Sequence, residues 1–334
     1  MKRLLSAARR VAPRPVRIGA REAFRAIGYI TGPQRQLPDF LIIGTKRGGT
    51  TSLFKYLIQH PEVAPIFPSV QGIKDVRFFD SNFGKGAVWY RSHFPLRLHR
   101  LYAERLRKRR LVAGESTPYY LFHPHAAGRA HQVVPHARLI VLLRNPVDRA
   151  YSHYKDEVKT GRETMTFEEA IQQEPMRLKS EWERILDDPS YHSFALEHHS
   201  YLAHGIYADQ LRRWLSVFSP DQVAIFRSED FYADPANVYR QVLTFLGLAP
   251  WELPAYERHN FLPSADMNAR TREELTRYFA PHNRRLYELL GVDLAWNREP
   301  AALPEPLRHL DERAGGPRVG PSTAARSTAR REPS

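Results

Sequence analysis

Cysteine is missing from all 334 residues, which excludes a disulfide framework and any thiolate metal site and suits a reducing compartment. Long apolar runs are missing as well. Nowhere do about 18 apolar residues follow one another, so the sequence predicts no transmembrane helix. Acid is scarce beside base, with 36 Asp and Glu against 50 Lys and Arg. The resulting net charge of +14 predicts an anionic partner, whether nucleic acid, an anionic membrane face or a phosphate- or sulfate-bearing ligand, and does not choose among them. Hydrophobic residues at 42% and charged residues at 26% are ordinary for a globular chain, enough for one full-sized core with extra helices.

Three parts are expected. Residues 1–36 form a basic lead, rich in arginine and without the continuous apolar core of a secretion signal. The lead reads either as an amphipathic segment on an anionic membrane or as a solvated tail. Residues 37–298 form the folded body. Residues 299–334, rich in Pro, Gly, Ser, Thr and Arg, are expected to be disordered. With neither signal nor anchor visible, a cytoplasmic location is expected, with membrane association through the lead as the second reading.

Within the body, FLIIG (40–44), LVAGE (111–115), RLIVLLR (138–144) and QVAIFRS (222–228) are strand candidates. Continuous rather than alternating apolar runs indicate strands covered on both faces, as in a parallel sheet. Helical patterns lie between and after them, at 50–60, 124–133, 146–160, 166–174, 205–218, 235–247 and 271–290. This alternation predicts an α/β, three-layer, doubly wound fold whose ligands sit beyond the C-terminal ends of the strands.

The stretch DFLIIGTKRGGTTSL (39–53) runs from strand to loop to helix. Free amides and the positive end of a helix dipole favour an anion there. Gly48 and Gly49 permit a tight turn. Thr50, Thr51 and Ser52 offer hydroxyls, while Lys46 and Arg47 offer charge. The loop is not a Walker A motif, because glycine stands where the lysine before the hydroxyl residue belongs. A second segment, RLIVLLRNPVDRAYSHY (138–154), places Arg144 at a strand end and Ser152 two turns into the following helix. Both can converge on one anionic group.

The pair GTKRGGTTSL and LLRNPVDRAYSHY resembles the two cofactor-binding signatures of the sulfotransferases that use 3′-phosphoadenosine 5′-phosphosulfate (PAPS). The wider match is to their carbohydrate branch, similar to the heparan sulfate sulfotransferases and their bacterial relatives. It runs over roughly residues 38–297 and includes KDVRFFD (74–80), GESTPYYL (114–121) and SEDFYADP (228–235). The resemblance implies a P-loop-like fold with PAPS as co-substrate and no metal. It implies that loop 46–52 holds the 5′-phosphosulfate and that Arg144 and Ser152 hold the 3′-phosphate. Asp75 falls where the family carries its general base, and a carboxylate can take the proton of an attacking hydroxyl or amine.

Several departures are visible. Arg47 stands where the family has its loop lysine, with Lys46 one place earlier; arginine stabilises growing charge but is a poor proton donor. Asp75 is one methylene shorter than the usual glutamate. Ser116 replaces a lysine found in some relatives. The cysteine-bridged hairpin that closes over the donor is absent, and the stretch Asn260–Arg272 is the candidate replacement. The His-rich pieces HPHAAGRAHQVVPH and HHSYLAH lack zinc-site spacing. Trp89, Tyr90, Tyr119 and Tyr120 read either as sugar-stacking rings or as core. The expected acceptor is a hydroxyl, with an amine second, of a carbohydrate or glycolipid-like molecule. A nucleotide-dependent kinase and a basic polyanion- or nucleic-acid-binding protein are the alternatives; no specific nucleic-acid partner is expected.

Overall fold

The computed structural model of the chain describes residues 23–68, 74–259 and 267–297. Most of the basic lead and the C-terminal tail therefore lie outside the described residues. Five parallel strands form one sheet: β1 (Phe40–Gly44), β2 (Val63–Ala64), β3 (Val112–Ser116), β4 (Arg138–Leu143) and β5 (Val223–Arg227), in the order β2-β3-β1-β4-β5. β1 thus lies between β3 and β4, where the winding of the sheet changes direction and a crevice opens at the strand ends. The four strands expected from the sequence are present; every residue of β1, β3 and β5, and all of β4 beyond Arg138, is buried.

Helices fill the connections and cover the sheet. α1 (Thr50–Leu57) follows β1, and α2 (Phe78–Ser81), α3 (Gly86–Arg91) and α4 (Arg97–Arg107) lie between β2 and β3. α5 (Ala126–Val133) leads to β4. From β4 to β5 run α6 (Pro146–Lys159), α7 (Phe167–Leu178), α8 (Glu181–Asp187), α9 (Phe194–His198) and α10 (Tyr207–Leu215). After β5 come α11 (Ser228–Ala233), α12 (Pro235–Leu246) and α13 (Ala269–Leu290), and a helical segment over 23–30 precedes the sheet. The long helices start and stop where local chemistry dictates. Asn145 caps α6 by accepting from the Val147 amide at 3.0 Å, with Pro146 at the first position. Gly247 and Gly291, at φ 66° and 67°, end α12 and α13.

Candidate functional site

A cleft of ≈ 240 Å³ opens over the C-terminal ends of β1, β3, β4 and β5, with walls from the segments that follow those strands. Its first wall is the loop after β1. Thr45 donates its amide to the Leu142 carbonyl of β4 at 2.9 Å, and Gly48 donates to the Thr45 carbonyl at 2.9 Å. A Cβ on Gly48 would lie 2.6 Å from that same Leu142 carbonyl, so only glycine lets the loop lie this close to the sheet. Gly49, at φ 93°, then turns the chain into α1. Thr50 and Thr51 occupy the first turn, whose amides have no carbonyl four residues behind them. The loop is buttressed from outside: Ser228 Oγ donates to the Gly48 carbonyl at 2.8 Å, and Arg144 Nη1 to the Arg47 carbonyl at 3.2 Å.

The loop cations do not both point at the first turn of α1. Lys46 Nζ lies 2.9 Å from Glu157 Oε1 and donates to the Glu197 carbonyl at 2.8 Å. Arg47 turns toward α6, its Nε 3.1 Å from Ser152 Oγ and its Nη1 3.1 Å from Asp156. Glu157 anchors this region. Burial opposes its ionisation, but hydrogen bonds from His153 and His198 and the charge of Lys46 hold its carboxyl far below the usual carboxylate range. Burial in turn pushes the Lys46 ammonium down, against the pull of Glu157.

A second wall carries Arg144 and Ser152, both buried. The Arg144 guanidinium carbon stands 5.9 Å from the centre of the Tyr232 ring, and that of Arg258 stands 5.7 Å from it. Ser52 also lines the cleft, but its Oγ accepts from the His259 amide at 2.9 Å, which ties the 253–259 segment to α1.

The third wall is strapped to β3. Ser116 donates its amide to the Lys74 carbonyl at 2.8 Å, and Val76 donates to Glu115 Oε2 at 2.9 Å. Asp75 is held between these two bonds, with its side chain 44% exposed at the cleft and 3.9 Å from Lys74 Nζ. Arg77 clamps Glu197 with two bonds of 2.6 and 2.7 Å and also reaches Asp80 at 2.7 Å. Glu115 is fully buried and accepts from Tyr90, Tyr120, Thr117 and Val76; burial pushes its carboxyl up to about 7 even though these bonds favour the charged form.

Lys46, Arg47, Gly49, Thr50, Thr51, Ser52, Asp75, Arg144 and Ser152 thus line one cleft, with Gly48 in the loop that floors it. Sequence reading missed Lys74, Arg77, Glu197, Tyr232 and Arg258, which share the lining. The first two stand in KDVRFFD and Tyr232 in SEDFYADP, so the signal was in segments that had been read for other residues. Of the four aromatic candidates, Tyr119 lines the cleft, whereas Tyr90 and Tyr120 are core residues with their hydroxyls on Glu115 at 2.7 and 3.0 Å. Arg270 pairs with Glu274 on the surface and Arg272 with Asp148; residues 260–266 of the candidate closing stretch lie outside the described residues. Within the His-rich pieces His204 stacks 3.8 Å from Phe122 and His125 bonds the Ile185 carbonyl at 2.6 Å, while His198 stands 3.1 Å from Glu157.

Fold and cradle together define a P-loop-like α/β protein with an anion-binding cleft. The sulfotransferase domain family model matches residues 37–261, and the chain belongs to that family, whose sulfate donor is PAPS. Among its relatives is the membrane-associated sulfotransferase kil1 of Dictyostelium discoideum, 27% identical over 78% of this chain and 66% of that protein. Another is the bifunctional heparan sulfate N-deacetylase/N-sulfotransferase 3 of Homo sapiens, 33% identical over 64% of this chain and 23% of that protein. The chain therefore spans less than two thirds of the length of both. A solved structure, the sulfotransferase from Alicyclobacillus acidocaldarius, is 34% identical, with a TM-score of 0.56 over 79% of this chain and all of that one.

Proposed function

We propose that residues 37–298 act as a PAPS-dependent transferase that places the sulfuryl group on a hydroxyl, and secondarily an amine, of an uncharged carbohydrate or glycolipid-like acceptor. The observation that supports it most is the division of one cleft into two cationic ends with a carboxylate at its rim. The residues fit the donor's chemistry: the loop after β1 offers first-turn amides and hydroxyls, Arg144 and the Arg47–Ser152 pair face it across the cleft, and a Cβ on Gly48 would obstruct the loop. The donor, when bound, supplies the sulfuryl group and an adenosine bisphosphate that leaves.

The chain's own residues then have distinct tasks. Thr50, Thr51 and the first-turn amides of α1 hold the 5′ end, and Arg144 with Ser152 holds the 3′-phosphate. Asp75 takes the proton from the acceptor atom as that atom attacks sulfur. Arg47 and Lys46, joined by Lys74, balance the charge that grows on the departing oxygen. Lys74 is placed for this beside Asp75; burial lowers its pKa, with Asp75 pulling the other way. Its half-buried ammonium complements Lys46, which Glu157 already engages.

The acceptor side is proposed from a second cavity of ≈ 190 Å³ that shares Tyr119 and Glu197 with the cleft. Its other lining, Ser81, His123, Ile185, His192, Ser193 and Phe194, includes no Lys or Arg among the described residues. Burial pushes His123 down to about 3, so it enters as a neutral ring. Nearby Arg129 is turned away, onto the carbonyls of Phe79, Asp80 and Pro189. Such a wall suits hydroxyls and ring faces better than a polyanion. The kinase alternative is disfavoured by Gly49 in the place of the Walker lysine, and the polyanion-binding alternative by the family match. The basic lead, residues 1–36, is proposed to add electrostatic contact with an anionic membrane.

A thermal-shift titration with 3′,5′-bisphosphoadenosine beside ATP and adenosine 5′-monophosphate tests the donor assignment. Selective stabilisation by the bisphosphate is expected, because a ligand of the native state raises Tm. An equal shift with ATP would refute the assignment.

A further inference from the structure

Helix α4 is mounted the wrong way round for a helix on a globular surface. Such helices turn an apolar stripe to the core and polar residues to water. Here the small Ala103 faces inward, while Leu98, Leu101 and Leu106 are 74%, 46% and 71% exposed. At 100° per residue the three leucines, with Arg105 among them, fall on the side of the helix opposite Arg100, which bonds Asp39 in the body at 3.0 Å. The neighbouring segment repeats the pattern. Over 23–30 the chain buries Gly28 against the Ser92 carbonyl and Phe67, and leaves Phe24, Ile27 and Ile30 40%, 50% and 77% exposed. Arg35 pairs antiparallel with Leu96, the residue before α4, so the two segments share one edge of the molecule.

Charge decides what covers this edge. Arg25, Arg97, Arg105, Lys108 and Arg109 are all exposed there, while the acid of α4, Glu104, is bonded to Arg100 at 3.0 Å. The segments outside the described residues, 1–22 and 298–334, each hold more Lys and Arg than Asp and Glu, and a second copy carries +14. Like charge disfavours all of these as occupants. Apolar side chains standing out between cations match an interfacial helix lying in an anionic bilayer.

We propose that α4, with the 23–30 segment beside it, seats the protein on an anionic lipid surface, Leu98, Leu101 and Leu106 entering the acyl boundary and the flanking arginines meeting the headgroups. This site is separate from the transfer cleft and holds whichever acceptor is used. The experiment is co-sedimentation of the full chain with extruded phosphatidylcholine vesicles, with and without about a third phosphatidylserine, for the wild type and for Leu98→Ser/Leu106→Ser. The expected result is wild-type binding to the anionic vesicles only, weakened about tenfold or more by the double substitution. Tm and the shift with 3′,5′-bisphosphoadenosine should stay as in the wild type, since both leucines are exposed. Unchanged vesicle binding in the variant would overturn the proposal and move any contact to residues 1–22 of the basic lead. A wild type that ignores anionic vesicles would overturn it too. So would a wild-type dimer that the substitutions dissociate in light scattering, or a clear fall in the variant's Tm, which would show the face covered by a second copy or by the chain itself.

Discussion

The two cavities that meet at Tyr119 and Glu197 are built from different materials. The larger is ringed by Lys46, Arg47, Lys74, Arg77, Arg144 and Arg258, most of them on segments that leave or lean on a strand end. The smaller is lined by Ser81 of α2, by Tyr119 and His123 beyond β3, and by residues of α8, α9 and the loop between them, with no Lys or Arg among the described residues. At the border stands Glu197, its charge met by the two bonds of Arg77. The contrast teaches that the high net charge need not describe the acceptor. Six Lys and Arg line the larger cavity beside three acids, whereas the smaller has no Lys or Arg among the described residues.

The sharpest way to break this division is at its rim. Asp75→Asn should lower transfer by about a hundredfold or more, with the thermal shift from 3′,5′-bisphosphoadenosine intact; full activity would remove Asp75 as the base. Next in size, Arg144→Ala should weaken the bisphosphate by about 10- to 100-fold, as expected for a lost charge-assisted bond. Adenosine 5′-monophosphate should be nearly unaffected, and equal losses measured by calorimetry would refute a 3′-phosphate role. A smaller effect should follow on the neutral side. Phe194→Arg puts a cation into the second cavity, and the ratio of kcat/KM for N-desulfated heparin over p-nitrophenyl β-glucoside should rise about tenfold. An unmoved ratio would mean that acceptors do not enter there.

The smallest expected effect concerns the buried carboxyl beneath the wall that carries Asp75. Burial raises the Glu115 carboxyl from 4.5 to about 7, so the folded protein keeps a proton that the unfolded chain gives up. Its contribution to stability is full below about pH 4.5 and is lost as pH rises through about 7. Glu115→Gln cannot ionise, and its amide can face the Tyr90 and Tyr120 hydroxyls while its oxygen keeps Val76 and Thr117. The fall in Tm across that interval should therefore flatten by a few degrees in calorimetric scans. An identical profile in the variant would place the proton elsewhere.

Much of the larger cleft was legible because it is local. A buried strand, a glycine turn and a helix that opens on hydroxyl residues follow one another in sequence, and each leaves its own composition behind. Arg144 and Ser152 lie on one strand–helix unit and could be placed together for the same reason. What could not be read is non-local. The engagement of Lys46 by Glu157 joins residues 111 positions apart. Arg77 meets Glu197 from 120 positions away. The helices α2, α3, α8, α9 and α11 run only four to seven residues, too short for a 3.6-residue period to declare itself. The second cavity draws on residues near 81, 123 and 193, which no spacing rule connects.

Lys46 also reaches across the border, from the loop after β1 to the Glu197 carbonyl in α9. The second cavity therefore leans on the loop after β1 through the Lys46 ammonium. Phosphate charge that draws Lys46 away would leave α9 held by the Arg77–Glu197 and His198–Glu157 bonds, and the two halves of the reaction would then become events in time as well as places in space. Ordered arrival, donor before acceptor, is the expected consequence, and a random pattern in product-inhibition kinetics would show that the bridge is too slack to keep the sequence.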